Sequence, residues 1–477
     1  MIGSVVDALL LLVGLAILGG ALAHALLIPA AVIDLRRSKA RDRHRLWRRV
    51  LASPSAPRVS VLVPVFNEEA TILESLQGIR SLTYQNLEIV VVNDGSTDAT
   101  ETTLIEGLDL VEVRSEYEEP FETETVVRLY RSRTDQRLVV AQKLNGGKAD
   151  ALNAALNLAS GSLVCAIDGE TTVSPDALQK LVVSFVDRSD VVAAGGSLRL
   201  SNSSLEPGLT GLRAVFPRSL WAACQAVEYA RAGLISMPAW NQLGGNLITT
   251  GAFGVFRRSR IIEAGGYLDG SIGEDAELIV RLRRLGYENG HLARVVFIAD
   301  PVAWTDAPER LSELRRQRNR WYRGLLEVLT RHRGMIFRPR YRSAGLLALP
   351  YLLLVEALAP IIEAFGLVVL ATAVFAGLVS AEQLAFMAAV YSLGLLVSIA
   401  ALLLDDVAFG TPKSLAGRLR MVVVATIEHL VFRPLTVWWR LDGLHDWLRG
   451  RGDWGTQVRR GMGPKTELPP ALPKIRV

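Results

Sequence analysis

The chain carries long apolar stretches towards its two ends, whereas its middle part consists of short apolar runs separated by amphipathic segments. Residues 8–33 contain no Asp, Glu, Lys or Arg, and this stretch exceeds the roughly 20 residues needed to cross a bilayer. Further apolar stretches cover about 344–379, 384–404 and 420–439. The last one contains Glu428, which is costly to place in lipid. We therefore expect three full spans, with the fourth stretch packed at or partly within the membrane.

Between about 57 and 335, short β-rich runs alternate with helical patterns. Strands are predicted at 59–64, 87–92, 137–141 and 163–167, each as a near-continuous apolar run. Such runs separated by helices are typical of a parallel sheet that is covered by helices on both faces. The pattern therefore predicts an α/β domain with a mostly parallel, Rossmann-like sheet, flanked by transmembrane helices.

The charge distribution predicts the orientation. Eight Lys or Arg residues lie between Arg36 and Arg49, opposed only by Asp42, directly after the first apolar stretch. The positive-inside tendency then places the following segment in the cytosol and the N-terminus outside. A cleaved signal peptide fits poorly, because no basic residues precede an apolar stretch that is too long. Two cysteines, Cys165 and Cys224, cannot form a disulfide framework and indicate a reducing compartment.

These patterns predict five segments. They are an N-terminal transmembrane helix (1–35), a basic cytosolic linker (36–56), a cytosolic α/β domain with interfacial helices (57–335), transmembrane or interfacial helices (336–440) and a basic cytosolic tail (441–477).

Polar side chains follow the predicted strands at the points where they end. Asn67 and Glu68 follow the first strand, Asp94 the second and Asp168 the run at 163–167. Ligands of open α/β sheets bind at the carboxyl ends of the strands. Any one of these residues is more often a helix cap, since Asp and Asn satisfy free backbone N–H groups. Their joint placement favours a ligand site.

Two motifs point to a phosphate-bearing ligand. Asp168-Gly-Glu170 can present two carboxylates to one Mg²⁺ or Mn²⁺, which prefers hard oxygen ligands and completes its shell with phosphate and water. Asn145-Gly-Gly-Lys148 opens a helix with a lysine just inside, an arrangement that suits phosphate binding. A turn followed by a solvated lysine explains the second motif equally well.

Two further motifs carry candidate chemistry. Glu274 and Asp275 precede a helical pattern, where they either complement the helix dipole or supply a general base. Gln317, Arg320 and Trp321 lie in a basic stretch, which is usually a solvated face or a membrane contact, but a tryptophan there can stack on a sugar ring. The acidic stretch 115–125 is interpreted as a solvated loop.

The ordered set of motifs resembles a known family. It consists of Pro64-Val-Phe-Asn-Glu-Glu, Asn93-Asp-Gly-Ser-Thr-Asp, Asn145-Gly-Gly-Lys-Ala-Asp-Ala-Leu-Asn, Asp168-Gly-Glu170, Gly273-Glu-Asp275 and Gln317-x-x-Arg-Trp321. This set resembles the family 2 glycosyltransferases with a GT-A fold, over roughly residues 57–335. Within that family it is similar to the membrane-integrated synthases related to cellulose, hyaluronan, chitin and poly-N-acetylglucosamine synthases.

The resemblance implies a role for each residue. Asp94 would contact the uracil or ribose of a UDP-sugar, Asn67 and Glu68 would lie beside the nucleotide, and Lys148 near the donor. Asp168 with Glu170 would hold the metal, and Asp275 would be the catalytic base of an inverting transfer. Gln317, Arg320 and Trp321 would lie at the acceptor and diphosphate side. The family's metal triplet usually ends in Asp, so Asp168 is the main expected ligand.

Three functions remain open at this stage. The first is an inverting polysaccharide synthase at the cytosolic face of the plasma (inner) membrane, coupled to export, which uses a UDP-sugar and a β-linked polymer and no nucleic acid. The second adds a single sugar to a lipid-linked acceptor. The third is a non-catalytic scaffold or transport subunit, against which the retained Asp94, Asp168 and Asp275 argue. The few spans suggest a homodimer or a partner subunit.

Overall fold

A computed structural model of the chain describes residues 2–42, 56–114, 116–168, 171–186, 188–202, 205–208, 211–214, 216–249, 253–409 and 415–451. The strands are β1 (Val59–Val65), β2 (Leu87–Asp94), β3 (Leu110–Glu112), β4 (Val126–Ser132), β5 (Leu138–Lys143), β6 (Leu163–Ile167), β7 (Thr172–Val173), β8 (Val191–Leu200), β9 (Leu205–Gly208), β10 (Gly211–Ala214), β11 (Phe253–Arg257) and β12 (Arg294–Thr305). Ten of these described strands form one sheet in the order β3-β4-β5-β2-β1-β6-β11-β8-β12-β7, and β9 pairs with β10.

Several helices lie between residues 57 and 335. They are α2 (Ile72–Arg80), α3 (Thr100–Gly107), α4 (Lys148–Leu158), α5 (Ala177–Val182), α6 (Leu220–Arg231), α7 (Met237–Leu243), α8 (Arg258–Glu263), α9 (Glu274–Glu288) and α10 (Leu311–Arg331). The other helices are α1 (Ile2–Asp42), α11 (Leu349–Tyr351), α12 (Ala359–Phe375), α13 (Ala381–Phe409), α14 (Leu415–Ile427) and α15 (Arg433–Leu448), with π-helical turns at 232–236, 344–348, 352–357 and 428–432.

The centre of the sheet is parallel and buried on both faces. β5, β2, β1 and β6 are neighbours and run parallel, which confirms the four strands predicted from apolar runs. Alternate side chains of β1 point to opposite faces. Val61 and Val63 pack in one apolar cluster with Ile72 of α2, whereas Leu62 packs in the other with Leu152 of α4. Both clusters together form the core of an α/β domain.

The outer parts of the sheet contain antiparallel pairs that the sequence pattern does not reveal. β4 runs antiparallel to β5, and β11 lies between β6 and β8 and runs antiparallel to both. Phe253 at the start of β11 therefore pairs with Ile167 at the end of β6. As a result, β11 begins at the same edge at which the parallel strands end.

Among the described residues, four helical segments are long and apolar enough to cross a membrane: Val5–Ser38, Ala344–Phe375, Ala381–Asp405 and Leu415–Leu448. The second segment is interrupted by π-helical turns, which are followed by Pro360 at the start of α12. The fourth, for which the sequence predicts a partial or interfacial position, matches the others in length.

Two ion pairs involve charged side chains of these apolar helices. Arg231, at the end of α6, donates to Glu428 at 3.1 Å and to Ser398 at 2.6 Å. Arg433 of α15 donates to Glu363 of α12 at 2.7 Å. Charges at membrane depth face the interior of a bundle and pair with one another, because lipid offers them no partner. These pairs connect helices that are distant in sequence.

The acidic stretch 115–125 is a loop with exposed acidic side chains in its described part, as interpreted from the sequence, and one buried residue anchors it. Phe121 is 8% exposed and belongs to the cluster around α4. The side-chain amide of Asn157 donates to the Phe121 carbonyl at 2.9 Å and accepts from the Phe121 N–H at 3.2 Å. The charges are solvated, but an aromatic side chain between them anchors the segment to the domain.

Candidate active site

A cavity opens at the carboxyl ends of β1 and β6, where the sequence predicts the ligand site. Four charged residues from three segments border it: Lys148 at the start of α4, Asp168 after β6, and Glu274 and Asp275 at the start of α9. The remaining lining residues are Pro64, Leu152, Ala166, Ile167, Thr249, Gly254, Phe256 and Tyr267. The fold thus brings together residues that are more than 100 positions apart.

Lys148 lies between two carboxylates. Its ammonium nitrogen is 2.9 Å from Asp168 Oδ1 and 2.8 Å from Glu274 Oε1. Removal from water lowers the pKa of Lys148, but the two carboxylates outweigh this effect and hold the pKa well above its usual range. Lys148 is therefore a permanent positive charge in the cavity.

Asp275 has the electrostatic environment of a base that works near neutral pH. Removal from water and the neighbouring Glu274 carboxylate raise its pKa to about 6, against the opposing effect of Lys148. Its Oδ1 accepts a hydrogen bond from the N–H of Ala276 at 2.8 Å, which orients the carboxylate at the first turn of α9. A carboxylate with a pKa near the operating pH can accept a proton from a hydroxyl group.

Asp94 lies at the end of β2 but its carboxylate faces the protein. Oδ1 accepts from Lys143 Nζ at 2.5 Å and from the N–H of Gly146 at 3.0 Å, and Oδ2 accepts from the N–H of Gly147 at 2.8 Å. Lys143 also forms an ion pair with Asp150 of α4. Asp94 therefore shapes the loop that leads into Lys148, whereas contact with a nucleotide stays a prediction.

Asn67 and Glu68 join the turn after β1 to the turn after β2. Asn67 has a φ of 52°, in the left-handed region that Asn tolerates, and its side-chain oxygen accepts from the N–H of Thr97 at 2.8 Å. The N–H of Glu68 donates to Thr100 Oγ1 at 2.9 Å. Both residues lie at the predicted edge of the sheet, and the described cavity lining does not include them.

Gln317, Arg320 and Trp321 lie on α10, which contacts the segment before Asp275. A β-carbon built on Gly324 would come within 3.4 Å of the Gly273 Cα, so the two backbones touch there. Trp321 is 43% exposed, and the Arg318 guanidinium lies 4.7 Å from its ring centroid. The three predicted residues therefore lie one to two helical turns from the Gly324–Gly273 contact, outside the described cavity lining.

The second predicted metal ligand, Glu170, lies outside the described residues, as does Gly169. Asp168 is described, has 37% of its side chain exposed and borders the cavity. The structure thus places one carboxylate of the Asp168-Gly-Glu170 motif, next to Lys148.

The comparisons with known proteins identify the family of the chain. Residues 57–324 match the model of a protein family described as "Glycosyltransferase like family 2". The match covers more than half of the chain and every strand-end residue discussed above. The chain belongs to glycosyltransferase-like family 2.

Curated relatives of this family 2 member include two bacterial proteins. The chain is 28% identical over 286 residues to a probable glycosyltransferase, YdaM, of Bacillus subtilis (strain 168), which covers 59% of the chain and 58% of the relative. It is also 28% identical over 275 residues to a poly-beta-1,6-N-acetyl-D-glucosamine synthase of Staphylococcus aureus (strain COL). This alignment covers 57% of the chain and 56% of the synthase. The alignments thus span somewhat over half the length of these relatives.

A solved structure supports the fold of the family 2 member. The mannosyltransferase PcManGT of Pyrobaculum calidifontis, in complex with GDP-Man and Mn²⁺, superposes with a TM-score of 0.51 and 19% identity, covering 87% of this chain and 99% of that one. At this identity the likeness concerns the fold, and it confirms the predicted GT-A architecture.

Several residues of the family 2 site are not evident from the sequence motifs. Tyr267 borders the cavity, and Asn153 of α4 holds its backbone by accepting from its N–H at 2.8 Å and donating to its carbonyl at 2.9 Å. Gly254 borders the cavity because β11 begins at the edge where β6 ends, and Thr249 and Phe256 also line it. The available signal was Asn153, since asparagine is unfavourable inside a helix, and its presence there can indicate a contact with another segment.

Proposed function

We propose that the chain transfers a sugar, with inversion, from a UDP-sugar to the end of a growing β-linked polysaccharide. The main support for this proposal is the cavity at the strand ends. It is bordered by Lys148, Asp168, Glu274 and Asp275. It combines a permanent cation for a diphosphate with a carboxylate whose pKa is about 6. Both groups are needed for this transfer, and one cavity presents both.

The proposed reaction is a single displacement. Asp275 accepts the proton of an acceptor hydroxyl as the hydroxyl oxygen forms a bond to the anomeric carbon of the donor sugar. The bond from that carbon to the diphosphate breaks, and the nucleoside diphosphate leaves with the electron pair. Because the acceptor attacks opposite the leaving group, the configuration at the anomeric carbon inverts.

Lys148 is proposed to bind the donor diphosphate. In the structure its ammonium lies between Asp168 and Glu274, at the amino end of α4. A helix start with a lysine in its first turn favours anionic ligands through its free N–H groups and its charge. The Asp94 carboxylate holds the preceding glycines in place, and we assign it this positioning role beside any contact with the nucleotide.

The residues present fit a divalent cation. Asp168 offers a partly exposed carboxylate, and the adjacent Lys148 shows that its position attracts positive charge. Within the described part of the chain, no three His, Cys, Asp or Glu side chains lie together as a ready metal cage. Mg²⁺ is commonly held by one or two carboxylates plus phosphate oxygens. Asp168, with Glu170, would hold Mg²⁺ or Mn²⁺, which would neutralise charge on the leaving diphosphate.

The membrane placement is part of the proposal. The four apolar helices supply spans, and the basic run from Arg36 supports a catalytic domain at the cytosolic face of the plasma (inner) membrane. The ion pairs Arg231–Glu428 and Arg433–Glu363 support a polar interior among these helices. Such an interior is compatible with export of a hydrophilic product. A homodimer or a partner subunit would complete the passage.

The test uses the full chain in lipid nanodiscs. UDP-N-acetylglucosamine, UDP-glucose, UDP-galactose and GDP-mannose are supplied with Mg²⁺ or Mn²⁺, and the released nucleoside diphosphate and the product size are measured. We expect a UDP-sugar to be turned over to a polymer, and Asp275→Asn to lose about 10²–10⁴-fold in rate. Glu263→Gln, which changes an exposed carboxylate of α8, is the matched control and should keep the wild-type rate.

The alternatives give different results. Products that contain one added sugar on a lipid would favour the single-addition enzyme over the polysaccharide synthase. A wild-type rate of turnover in Asp275→Asn would show that Asp275 is not the catalytic base. Absence of turnover with every donor and lipid acceptor would favour the non-catalytic scaffold.

A further inference from the structure

The helix that carries the predicted acceptor residues is fastened to the segment that carries Asp275. Gly324 of α10 and Gly273 touch through their backbones, and a β-carbon on either glycine would come within 3.4 Å of the other's Cα. These distances correspond to van der Waals contact between the two segments. This close approach brings α10 to within two residues of Asp275.

A hydrogen bond fixes the same junction one turn further along α10. Glu327 Oε2 accepts from the N–H of Ile272 at 2.9 Å, and Glu327 Oε1 accepts from Arg331 Nη2 at 3.2 Å. Only 17% of the Glu327 side chain is exposed. A charged acceptor makes this bond stronger than a bond between two neutral groups. The main chain before Asp275 is thus tied to a side chain that the reaction itself does not use.

Glu327 lies on the same face of α10 as the predicted acceptor residues. Gln317, Arg320, Gly324 and Glu327 are spaced by three, four and three residues, which places them on one stripe of a helix. The stripe begins with the residues expected near the acceptor and ends at the junction with Ile272. A single rigid helix therefore links the two sides of the proposed reaction.

A second contact holds α9 independently. Glu277 of α9 pairs with Arg281 at 2.9 Å and lies 3.3 Å from His332 Nε2, just after the end of α10. Glu277 is completely buried. Loss of the Glu327 contact would therefore leave α9 docked, while the turn at 272–275 would gain freedom. The Glu277 contact therefore docks α9, whereas the Glu327 contact places the turn at 272–275.

We propose that Glu327 is a positioning residue that sets the distance between the Asp275 carboxylate and the acceptor bound along α10. This inference rests on the proposed function. The physical reason is that proton transfer requires a heavy-atom distance of about 2.6–3.2 Å, and a shift of about 1 Å can cost about 10²-fold in rate. The required property of residue 327 is an oxygen that reaches the Ile272 N–H. The negative charge of Glu327 strengthens this hydrogen bond but does not determine its length.

Two substitutions of Glu327 distinguish the effect of side-chain length from the effect of charge. Glu327→Gln keeps an oxygen at the same distance and loses the charge, whereas Glu327→Asp keeps the charge and shortens the side chain by about 1.5 Å. We expect Glu327→Gln to stay within about threefold of the wild-type kcat and Glu327→Asp to lose about 10–10²-fold. Arg331→Ala, which removes only the other partner of Glu327, should retain the wild-type kcat.

The readouts distinguish positioning from folding. KM for the donor sugar and the unfolding temperature should stay near wild type in all three variants, since Glu327 lies outside the donor cavity and Glu277 keeps α9 docked. A wild-type kcat for Glu327→Asp, or an equal loss in Glu327→Gln and Glu327→Asp, would overturn the inference. If the unfolding temperature decreases together with kcat in the Glu327 variants, Glu327 stabilises the fold and does not position Asp275.

Failure of this inference can be told from failure of the proposed function. If the wild-type chain transfers sugar and Asp275→Asn does not, the function holds whatever Glu327→Asp does. If the wild-type chain binds a donor but turns over none, the transfer function itself fails, and the inference fails with it because it rests on that function.

Discussion

Lys143 Nζ donates a hydrogen bond to Asp94 Oδ1 at 2.5 Å, and 0% of the lysine side chain and 5% of the aspartate side chain are exposed. The same ammonium pairs with Asp150. A buried cation with two carboxylate partners is a rigid junction between β2, β5 and α4. It lies directly behind the loop that places Lys148 in the cavity.

Substitution of Lys143 by Met should destabilise the catalytic domain strongly. The change leaves the buried Asp94 and Asp150 carboxylates without their cation, and removal of one partner from a buried pair costs about 3–5 kcal/mol. The measurement is the free energy of unfolding in denaturant, at constant detergent. Lys180→Met is the control, because Lys180 pairs with Asp176, whose side chain is 41% exposed, and such a pair contributes about 0.3–0.5 kcal/mol. Equal losses in both variants would contradict the role of Lys143.

The activity should fall at acidic pH with a midpoint near 6. Asp275 must be deprotonated to accept a proton, and its pKa is raised to about 6 by removal from water and by Glu274. Activity is therefore full above this value and is lost as the pH decreases through it. The measurement is kcat between pH 5 and 8.5 with saturating donor.

Removal of the Lys148 charge should move this midpoint to higher pH. Lys148 lowers the pKa of Asp275, so Lys148→Met raises it further, in addition to weakening donor binding. The residual activity of Lys148→Met would be followed over the same pH range. If the midpoint of the pH–activity curve is unchanged in Lys148→Met, a group other than Asp275 causes the loss of activity at acidic pH. Lys180→Met should show no shift.

Gly147→Ala should destabilise the loop before α4, whereas Gly78→Ala should not. Both glycines have open space where a β-carbon would be added, but Gly147 has a φ of 91°, and Gly78 lies inside α2. A side chain in the left-handed region costs about 1–2 kcal/mol. Replacement of a helical glycine by alanine gains about 0.4–1 kcal/mol. Opposite signs of the change in unfolding free energy are the expected result.

The Arg231–Glu428 pair can be tested by a double-mutant cycle. Arg231→Met and Glu428→Leu each leave one buried charge without its partner, so each single variant should unfold at lower temperature than the wild type. The double variant removes both charges and should recover part of the loss. Losses that simply add in the double variant would show that the pair has no coupling.

The sequence predicts the parallel centre of the sheet and the edge at which the site lies, because both follow from local patterns. Apolar runs mark β1, β2, β5 and β6, and the polar residues after them are adjacent in the chain. The antiparallel insertion of β11 depends on pairing between residues some 90 positions apart, and no local pattern specifies the direction of a strand.

The part of the site that the sequence did not predict consists of contacts between distant residues. The Asp94 motif indicates a ligand site, yet its carboxylate is engaged by Lys143, Gly146 and Gly147, which lie about 50 residues further along the chain. Likewise, Asn153 reaches Tyr267 only in the folded domain. Residue types suggest which groups can react, whereas the tertiary structure decides which of them face the cavity.

The Asp94 contacts with Gly146 and Gly147 also affect the entropy of ligand binding. Glycine has the largest conformational freedom of any residue, and ordering one residue's backbone costs about 1–2 kcal/mol. Here the loss of freedom has already occurred during folding, because the two backbone N–H groups are held by a buried carboxylate. A ligand that approaches Lys148 meets a loop already in its final shape, so its binding free energy is not reduced by ordering the loop.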